Sequence, residues 1–330
     1  MKKLLLFSLL SLLLIYCKSE SYDSKIEGLF DEISNSVKQE FAPDRRTATY
    51  EISLEKNSEI NKFVLKGVTT ELSAKESLLE KLEESKIEFV DSVIVLPHTD
   101  LGEKIYGITA QSVINFRYSP SYSSESATQT VMGTPLRLLD KKSYWIRAMT
   151  PEGYIAWVTT GSIAHMNRAE YSAWMELPKL IVTAHYTLLR ESADDRSQIV
   201  SDAVMGNILA LEGISGSYFK VKIPNGKIAY LNRAHATYFE SWLSSRNCNA
   251  DNIIETAKQF LGFPYMWGGT SVKALDCSGF TKTVFYMNGV IINRDASQQA
   301  LSGEEVDIEN GFDNLQKGDL LFFGTKATEG

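Results

Sequence analysis

The chain has 330 residues, 44% hydrophobic and 23% charged, enough to bury a sizeable core and divide into two or three domains. That composition excludes a disordered or collagen-like chain. A formal net charge of −7 supplies no broad basic field, which argues against a nucleic-acid partner.

In chain order, Lys2 and Lys3 precede an uninterrupted apolar run from Leu4 to Ile15. The run is short for a bilayer span and has the charged start and apolar middle of a secretory signal, so export is expected. Leu14-Ile15-Tyr16-Cys17 resembles a bacterial lipoprotein signal, in which the cysteine becomes the lipidated first residue, although Tyr16 stands where that pattern has a small residue. Residues 1–17 are accordingly read as a signal peptide of lipoprotein type. Cys17 is the expected lipidation site, and the expected location is the periplasm or cell envelope, attached to a membrane through the lipid. An incidental Cys17 beside a different cleavage site is the alternative. Two thiols then remain, Cys248 and Cys277, and a disulfide between them is one option in an oxidising compartment.

Residues 24–105 read as a small α+β domain. Ile26, Leu29, Phe30, Ile33 and Val37 fall at helical spacing between Ser24 and Phe41, and Pro43 ends that helix. Thr47 to Leu54 and Lys62 to Val68 have strand character. Ser73-Ala74-Lys75-Glu76 has a capping-box pattern leading into Leu78, Leu79 and Leu82, and Phe89 to Leu96 is a further strand. No chemistry is visible here, and the charged residues read as solvated faces.

The middle of the chain repeats with an offset of 73 residues. Arg117 meets Arg190, Val131-Met132-Gly133 meets Val204-Met205-Gly206, and Pro151, Gly153, Ile155 and Ala156 meet Pro224, Gly226, Ile228 and Ala229. A gap-free match of this kind implies two copies of one supersecondary unit, over 111–165 and 179–240. A linker helix over 166–178, capped by Asn167, joins them. Short β-rich runs separated by turn residues give each copy the texture of a small barrel. Gly153-Tyr154-Ile155-Ala156-Trp157-Val158 resembles the late strand of bacterial SH3-like domains; Gly226 to Leu231 matches it less closely. Trp145 and Trp157 are expected to pack in core or interface, and Tyr154 to present an exposed polar tip.

After Asn249 a helix over Asp251–Phe260 gives way to Pro264-Tyr265-Met266-Trp267-Gly268-Gly269-Thr270, then to Leu275-Asp276-Cys277-Ser278-Gly279-Phe280. Phe280, Val284, Phe285 and Met287 suit a buried helix that Asp276 would cap and Asn288-Gly289 would stop. Cys277 would then sit in the first turn, where free N–H groups stabilise a thiolate and can hydrogen-bond the oxyanion of an attacked carbonyl. A small buried hydrophobe is the bland alternative for Cys277. Metal binding is disfavoured, because there is no C-x-x-C and the four histidines lack ligand spacing. No cofactor is called for.

Tyr265-Met266-Trp267-Gly268-Gly269, Asp276-Cys277-Ser278-Gly279-Phe280, Arg294-Asp295-Ala296-Ser297-Gln298-Gln299 and Lys317-Gly318-Asp319-Leu320-Leu321-Phe322-Phe323 resemble the successive motifs of NlpC-type cell-wall cysteine peptidases. The resemblance covers residues 249–330 and implies a papain-like α+β fold. With two SH3-like domains in front, it points to the subgroup that cleaves the γ-D-glutamyl to diamino-acid bond of peptidoglycan stem peptides with a free N-terminal L-Ala. It implies Cys277 as nucleophile, Tyr265, Trp267, Asp276 and Ser278 lining the oxyanion and substrate sites, and Asp295 holding the substrate ammonium. An acid and a tyrosine from the first barrel, Glu125 and Tyr154, are the candidates that close the pocket. Read from the residues alone, Arg294-Asp295 is also compatible with a solvated pair; a buried ammonium needing a carboxylate partner favours the functional role.

The family's histidine base would follow on the strand after the Gly-Asp-Leu motif, and the sequence ends at Gly330, seven residues after Phe323. His98, His165, His185 and His235 all precede the cysteine and read as surface or structural. The sequence is therefore expected to be that of an incomplete, C-terminally truncated catalytic domain without turnover, a natural inactive remnant being the alternative. The expectation is a multidomain chain, with a small N-terminal α+β region, two SH3-like β-barrels and a papain-like α+β catalytic domain. The competing functional classes are a non-catalytic peptidoglycan-binding protein and an acyltransferase on a related scaffold, the latter leaving the two barrels unexplained.

Overall fold

The computed structural model describes residues 22–309 and 311–324. The apolar run 4–15 and Cys17 lie outside the described residues. In the first domain α1 (Tyr22–Phe41) is followed by β1 (Tyr50–Asn57), β2 (Lys62–Thr69), α2 (Leu72–Glu84) and β3 (Phe89–Val95). β1 and β2 pair antiparallel, and α2 crosses over to bring β3 in parallel beside β2. Ile26, Phe30 and Val37 of α1 and Ala74, Leu78 and Leu82 of α2 lie on single helix faces and bury against Phe63 and Leu65 of β2. The capping box expected at Ser73 does not form. Only two residues separate β2 from α2, so the helix starts at Leu72 with Glu71 as N-cap, and Ser73 falls inside the first turn. Thr69 Oγ1 instead accepts from the Glu71 N–H at 3.1 Å.

The two repeats form two seven-stranded antiparallel sheets. The first comprises β4 (Tyr106–Thr109), β5 (Val113–Arg117), β6 (Ser126–Val131), β7 (Pro135–Lys142), β8 (Trp145–Met149), β9 (Ile155–Thr159) and β10 (Ile163–Met166). α3 (Arg168–Glu176) follows, with a capping box between Asn167 and Glu170. The second sheet comprises β11 (Lys179–Val182), β12 (Tyr186–Arg190), β13 (Ile199–Val204), β14 (Ile208–Ser215), β15 (Tyr218–Lys222), β16 (Ile228–Asn232) and β17 (Ala236–Tyr238). The strand orders, β10-β4-β7-β8-β9-β5-β6 and β17-β11-β14-β15-β16-β12-β13, match position for position. Irregularities recur at the same offset: register shifts at Phe116/Arg117 and Leu189/Arg190, and at Leu138/Asp140 and Leu211/Gly213. The first sheet starts at β4, ahead of residue 111, because β4 zips onto β10 and β7 to join the unit's start to its end. Tyr106-Gly107-Ile108-Thr109 shares only Ile108 with its counterpart Lys179-Leu180-Ile181-Val182, so self-comparison gave no signal there.

The last domain contains α4 (Phe239–Ser244) at its junction with the second repeat, then α5 (Ala250–Lys258), the ribbon β18 (Thr270–Ser271) and β19 (Ala274–Leu275), α6 (Cys277–Met287) and the short α7 (Ala296–Gln299). Its apolar face docks on the second repeat, where Trp242, Phe260, Leu275, Val284 and Met287 share one core with Ile181 and Met205. Its polar face meets the first repeat. Gln129 Oε1 accepts from Thr270 N–H at 3.0 Å and from Ser271 Oγ at 3.1 Å, and Glu152 pairs with Lys282 at 3.3 Å. The repeats also touch each other, Ile208 N–H donating to Met132 O at 2.8 Å. Among the described residues, no helix is long and apolar enough to cross a membrane.

Gly133 has φ +90° and its backbone lies against Ile208, so that a Cβ there would meet Ile208 O at 2.3 Å. Gly153 has φ +84° with nothing within 4 Å of the same position. Gly153→Ala is expected to cost only the conformational strain, about 1–2 kcal/mol. Gly133→Ala adds a backbone clash between the repeats and should lower the thermal unfolding midpoint by clearly more; equal shifts would remove the inter-repeat contact as the cause.

Candidate active site

The site is built where α6 begins. Asp276 is the N-cap: Oδ1 accepts from Gly279 N–H at 2.7 Å and Oδ2 from Gly268 N–H at 2.9 Å. One carboxylate therefore fixes both the helix start and the glycine turn before it. Gly279 has no room for a side chain, because a Cβ would lie 1.9 Å from Gly269 O. The turn is strapped down by Met266 N–H to Leu275 O at 3.0 Å and Asp276 N–H to Gly269 O at 3.1 Å. Cys277 follows as the first helical residue, exposed and free, as is Cys248. The alternative of a disulfide between them is thereby set aside. The Cys277 and Ser278 N–H groups precede the first intrahelical bonds, leaving donors at the mouth of the site.

Tyr265 and Trp267 are 65% and 58% exposed and form the rim. The Tyr265 backbone bridges to Leu275, two residues before Cys277, which holds this rim against the helix start. Gly268 packs on Ser126, so Trp267 and Glu125 flank the same contact between domains. Glu125 is exposed, and its carboxylate makes no hydrogen bond or ion pair among the described residues. The structure does not bring it into hydrogen-bond contact with Asp295 or Tyr154.

Arg294 and Asp295 are not a solvated pair. Arg294 is 2% exposed; Nη2 lies 2.5 Å from Asp276 Oδ2, Nη1 donates to Ser278 Oγ at 2.9 Å, and Nε donates to Thr128 Oγ1 of β6 at 3.0 Å. Asp295 is bonded by other domains through its second carboxylate oxygen. Its Oδ2 accepts from Tyr154 OH at 3.3 Å and from Arg46 Nη1 at 3.0 Å. Tyr154, expected to be exposed, is 1% exposed, because β9 turns its ring into the first repeat's core and only the hydroxyl reaches the interface. Burial pushes that phenol far up, so it stays protonated and serves as a donor.

The first domain supplies what the sequence reading missed. Arg46 Nε and Nη2 hold Asp44, Arg46 Nη1 also reaches Ser297 Oγ at 2.8 Å, and Gln298 Nε2 donates to Asp44 Oδ2 at 3.1 Å. Hydrogen bonding from Arg46 holds the Asp44 carboxyl below its ordinary value. Its stabilising contribution is thus present above the unfolded carboxyl value of about 4 and lost as pH falls through the folded one. Asp44 and Arg46, read from the sequence as solvated, are thus bonded across the domain boundary to Asp295, Ser297 and Gln298. Only the Asp44-Arg45-Arg46 triplet after Pro43 marks them in the sequence, and such triplets are ordinary on surfaces.

None of the four histidines is hydrogen-bonded to Cys277. His98 Nδ1 accepts from Asp100 N–H, His165 Nε2 is 3.1 Å from Thr160 O, His235 Nδ1 is 2.7 Å from Thr187 Oγ1, and His185 packs edge-on against Phe263. His165 lies in β10. No cluster of His, Cys, Asp or Glu among the described residues is arranged to hold a metal ion.

Residues 262–330 match the NlpC/P60 family, and residues 116–163 match the bacterial dipeptidyl-peptidase Sh3 domain. The chain thus carries a bacterial SH3 domain ahead of an NlpC/P60 domain. It is 34% identical over 213 residues to the gamma-D-glutamyl-L-lysine dipeptidyl-peptidase of Bacillus cereus, the match covering 62% of this chain and 61% of that protein. The protein of the same name from Bacillus subtilis is 29% identical, with 62% and 66% covered. The match therefore spans less than two thirds of the length of these two curated relatives. The crystal structure of an NlpC/P60 family protein from Bacillus cereus superposes with a TM-score of 0.58 at 25% identity, covering 68% of this chain and 85% of that one.

Asp276→Ala leaves a buried guanidinium unpaired and removes the cap of α6, and should cost about 3–5 kcal/mol. Arg294→Met should cost a similar amount, and the double variant less than the sum of the two. Chemical denaturation of the four proteins gives the coupling; strict additivity would show that the pair acts as two independent groups.

Proposed function

We propose that the protein is a cysteine endopeptidase that hydrolyses the γ-D-Glu to diamino-acid bond of peptidoglycan stem peptides with a free N-terminal L-Ala, in cell-wall turnover or recycling. The observation that carries this reading is an exposed Cys277 at the start of a buried helix, across the Asp276–Arg294 pair from the carboxylate of Asp295. The relatives' names support the bond and the substrate class.

On this reading the Cys277 thiolate attacks the γ-carbonyl carbon of D-Glu, and the developing oxyanion is met by N–H groups at the start of α6. The tetrahedral intermediate collapses to a thioester as the C–N bond breaks and the diamino acid's amine takes up the proton that the thiol gave up; water then hydrolyses the thioester, freeing the γ-carboxyl group of D-Glu and the Cys277 thiol. Tyr265 and Trp267 flank the acyl chain, Asp276 and Ser278 hold the helix start, and Asp295 pairs with the L-Ala ammonium, with the Tyr154 hydroxyl beside it. Glu125 stands on the rim near Trp267, where it adds negative charge at the entrance. None of the four histidines is assigned as the base. Cys17 as a lipid anchor and a location in the cell envelope belong to the same proposal, supported by the basic start and apolar run of residues 2–17.

The test uses protein expressed from its complete gene and L-Ala-γ-D-Glu-diamino-acid tripeptides, free and N-acetylated. Cys277→Ala is expected to abolish hydrolysis while leaving the unfolding transition in place. Acetylation removes the charge that Asp295 pairs with, and should cut the rate by tens to thousands of fold. Turnover retained by the alanine variant would remove Cys277 as the nucleophile. Equal rates on the two peptides would remove the ammonium assignment. Binding of the peptides with no turnover in any form would favour a wall-binding protein instead.

A further inference from the structure

We propose that Arg46 of the N-terminal domain is a positioning residue for the substrate's ammonium site, fixing the Asp295 carboxylate while Asp44 offsets its charge, so that this domain is part of the binding site. The inference rests on the free-amine reading above and deepens it.

Asp295 is held by two groups from outside its own domain, both on Oδ2: the Tyr154 hydroxyl at 3.3 Å and Arg46 Nη1 at 3.0 Å. Oδ1 is turned toward Arg294, with Nη1 3.9 Å away. Both ends of the Arg46 residue are fixed. Its carbonyl accepts from Ile155 N–H, next to Tyr154, at 2.6 Å, and its guanidinium spans Asp44, Asp295 and Ser297. A planar fork can bridge two carboxylates in this way, whereas a lysine ammonium is a single point charge.

A cation resting on the proposed ammonium carboxylate has two possible consequences: it competes with the substrate, or it orients the carboxylate for it. Hydrogen bonding decides between them. Removing the guanidinium would break its bonds to Asp44 and Ser297 as well as to Asp295, and an incoming ammonium offers only three N–H donors. Displacement is therefore unfavourable, and Arg46 is a fixed wall. Charge agrees with this. Asp44 (−1), Arg46 (+1) and Asp295 (−1) sum to −1, while Arg294 (+1) is offset by Asp276 (−1). The cluster is one cation short of neutrality, which a monovalent ammonium supplies. The Arg46 and Asp295 side chains remain 25% and 23% exposed, so the carboxylate is reachable from solvent.

The test measures binding of the dipeptide L-Ala-γ-D-Glu and its N-acetyl form by calorimetry, a readout that does not need turnover. The quantity compared is the affinity ratio, free over acetylated. Wild type should prefer the free amine. Arg46→Met should lower the ratio about tenfold or more by weakening the free form alone, and Arg46→Lys should restore part of it. Asp44→Asn keeps the shape but brings the cluster to zero net charge, and should lower the ratio as well. A ratio unchanged in Arg46→Met, including equal losses for both ligands, would overturn the proposal and leave a merely structural contact. A raised ratio would overturn it in favour of competition. A wild type without preference defeats the free-amine reading itself, and the proposal falls with it.

Discussion

The buried pair between Arg294 and Asp276 is the interaction on which the rest of the site depends. Two opposite charges taken out of water are costly unless every donor and acceptor is matched, and here they largely are. Asp276 takes the cap N–H of α6 and the Gly268 N–H, while Arg294 spends its donors on Asp276, Ser278 and Thr128. The pair thereby sets three things at once: the start of the helix that presents Cys277, the path of the Tyr265–Gly269 turn, and the seat of the first repeat against the last domain. A hydrophobic contact in the same place would hold the surfaces together without fixing direction.

The interfaces around this pair divide by chemistry. The second repeat meets the last domain through a shared apolar core, while the first meets it through Gln129, the Lys282–Glu152 pair and Thr128. The apolar interface supplies attachment through buried area. The polar one supplies register, because a hydrogen bond misplaced by one residue leaves a buried group unsatisfied. The N-terminal domain adds a further polar clasp: Arg46 carbonyl to Ile155 on one side and its guanidinium to Asp295 and Ser297 on the other. The Asp295 end of the site is thus a junction of three domains, with Tyr154 from the second of them.

Local signals in the chain were legible where one element's own periodicity or cap decided the outcome. The helices at residues 22–41, 168–176 and 277–287 follow from apolar spacing and from Asn167 and Asp276 as caps. The repeat was legible because both copies keep the same glycines at φ near +90°, Gly133 with Gly206 and Gly153 with Gly226. It faded at β4, where pairing partners rather than residue type define the strand. The capping box at Ser73 failed for the same reason: a short connection from β2 overrode a local preference.

By itself, the sequence determined the order of the domains, the duplication, and the placement of Cys277 behind its capping acid, since these rest on neighbours within a few residues of each other. Only the tertiary structure decided that Arg294 is buried, that Tyr154 turns inward, that Glu125 makes no bond to Asp295, and that Arg46, 249 residues away, reaches it. A charged or amphipathic side chain is as compatible with solvent as with a matched buried partner. Which of the two it finds depends on desolvation and on groups brought from other domains, and no local pattern records either.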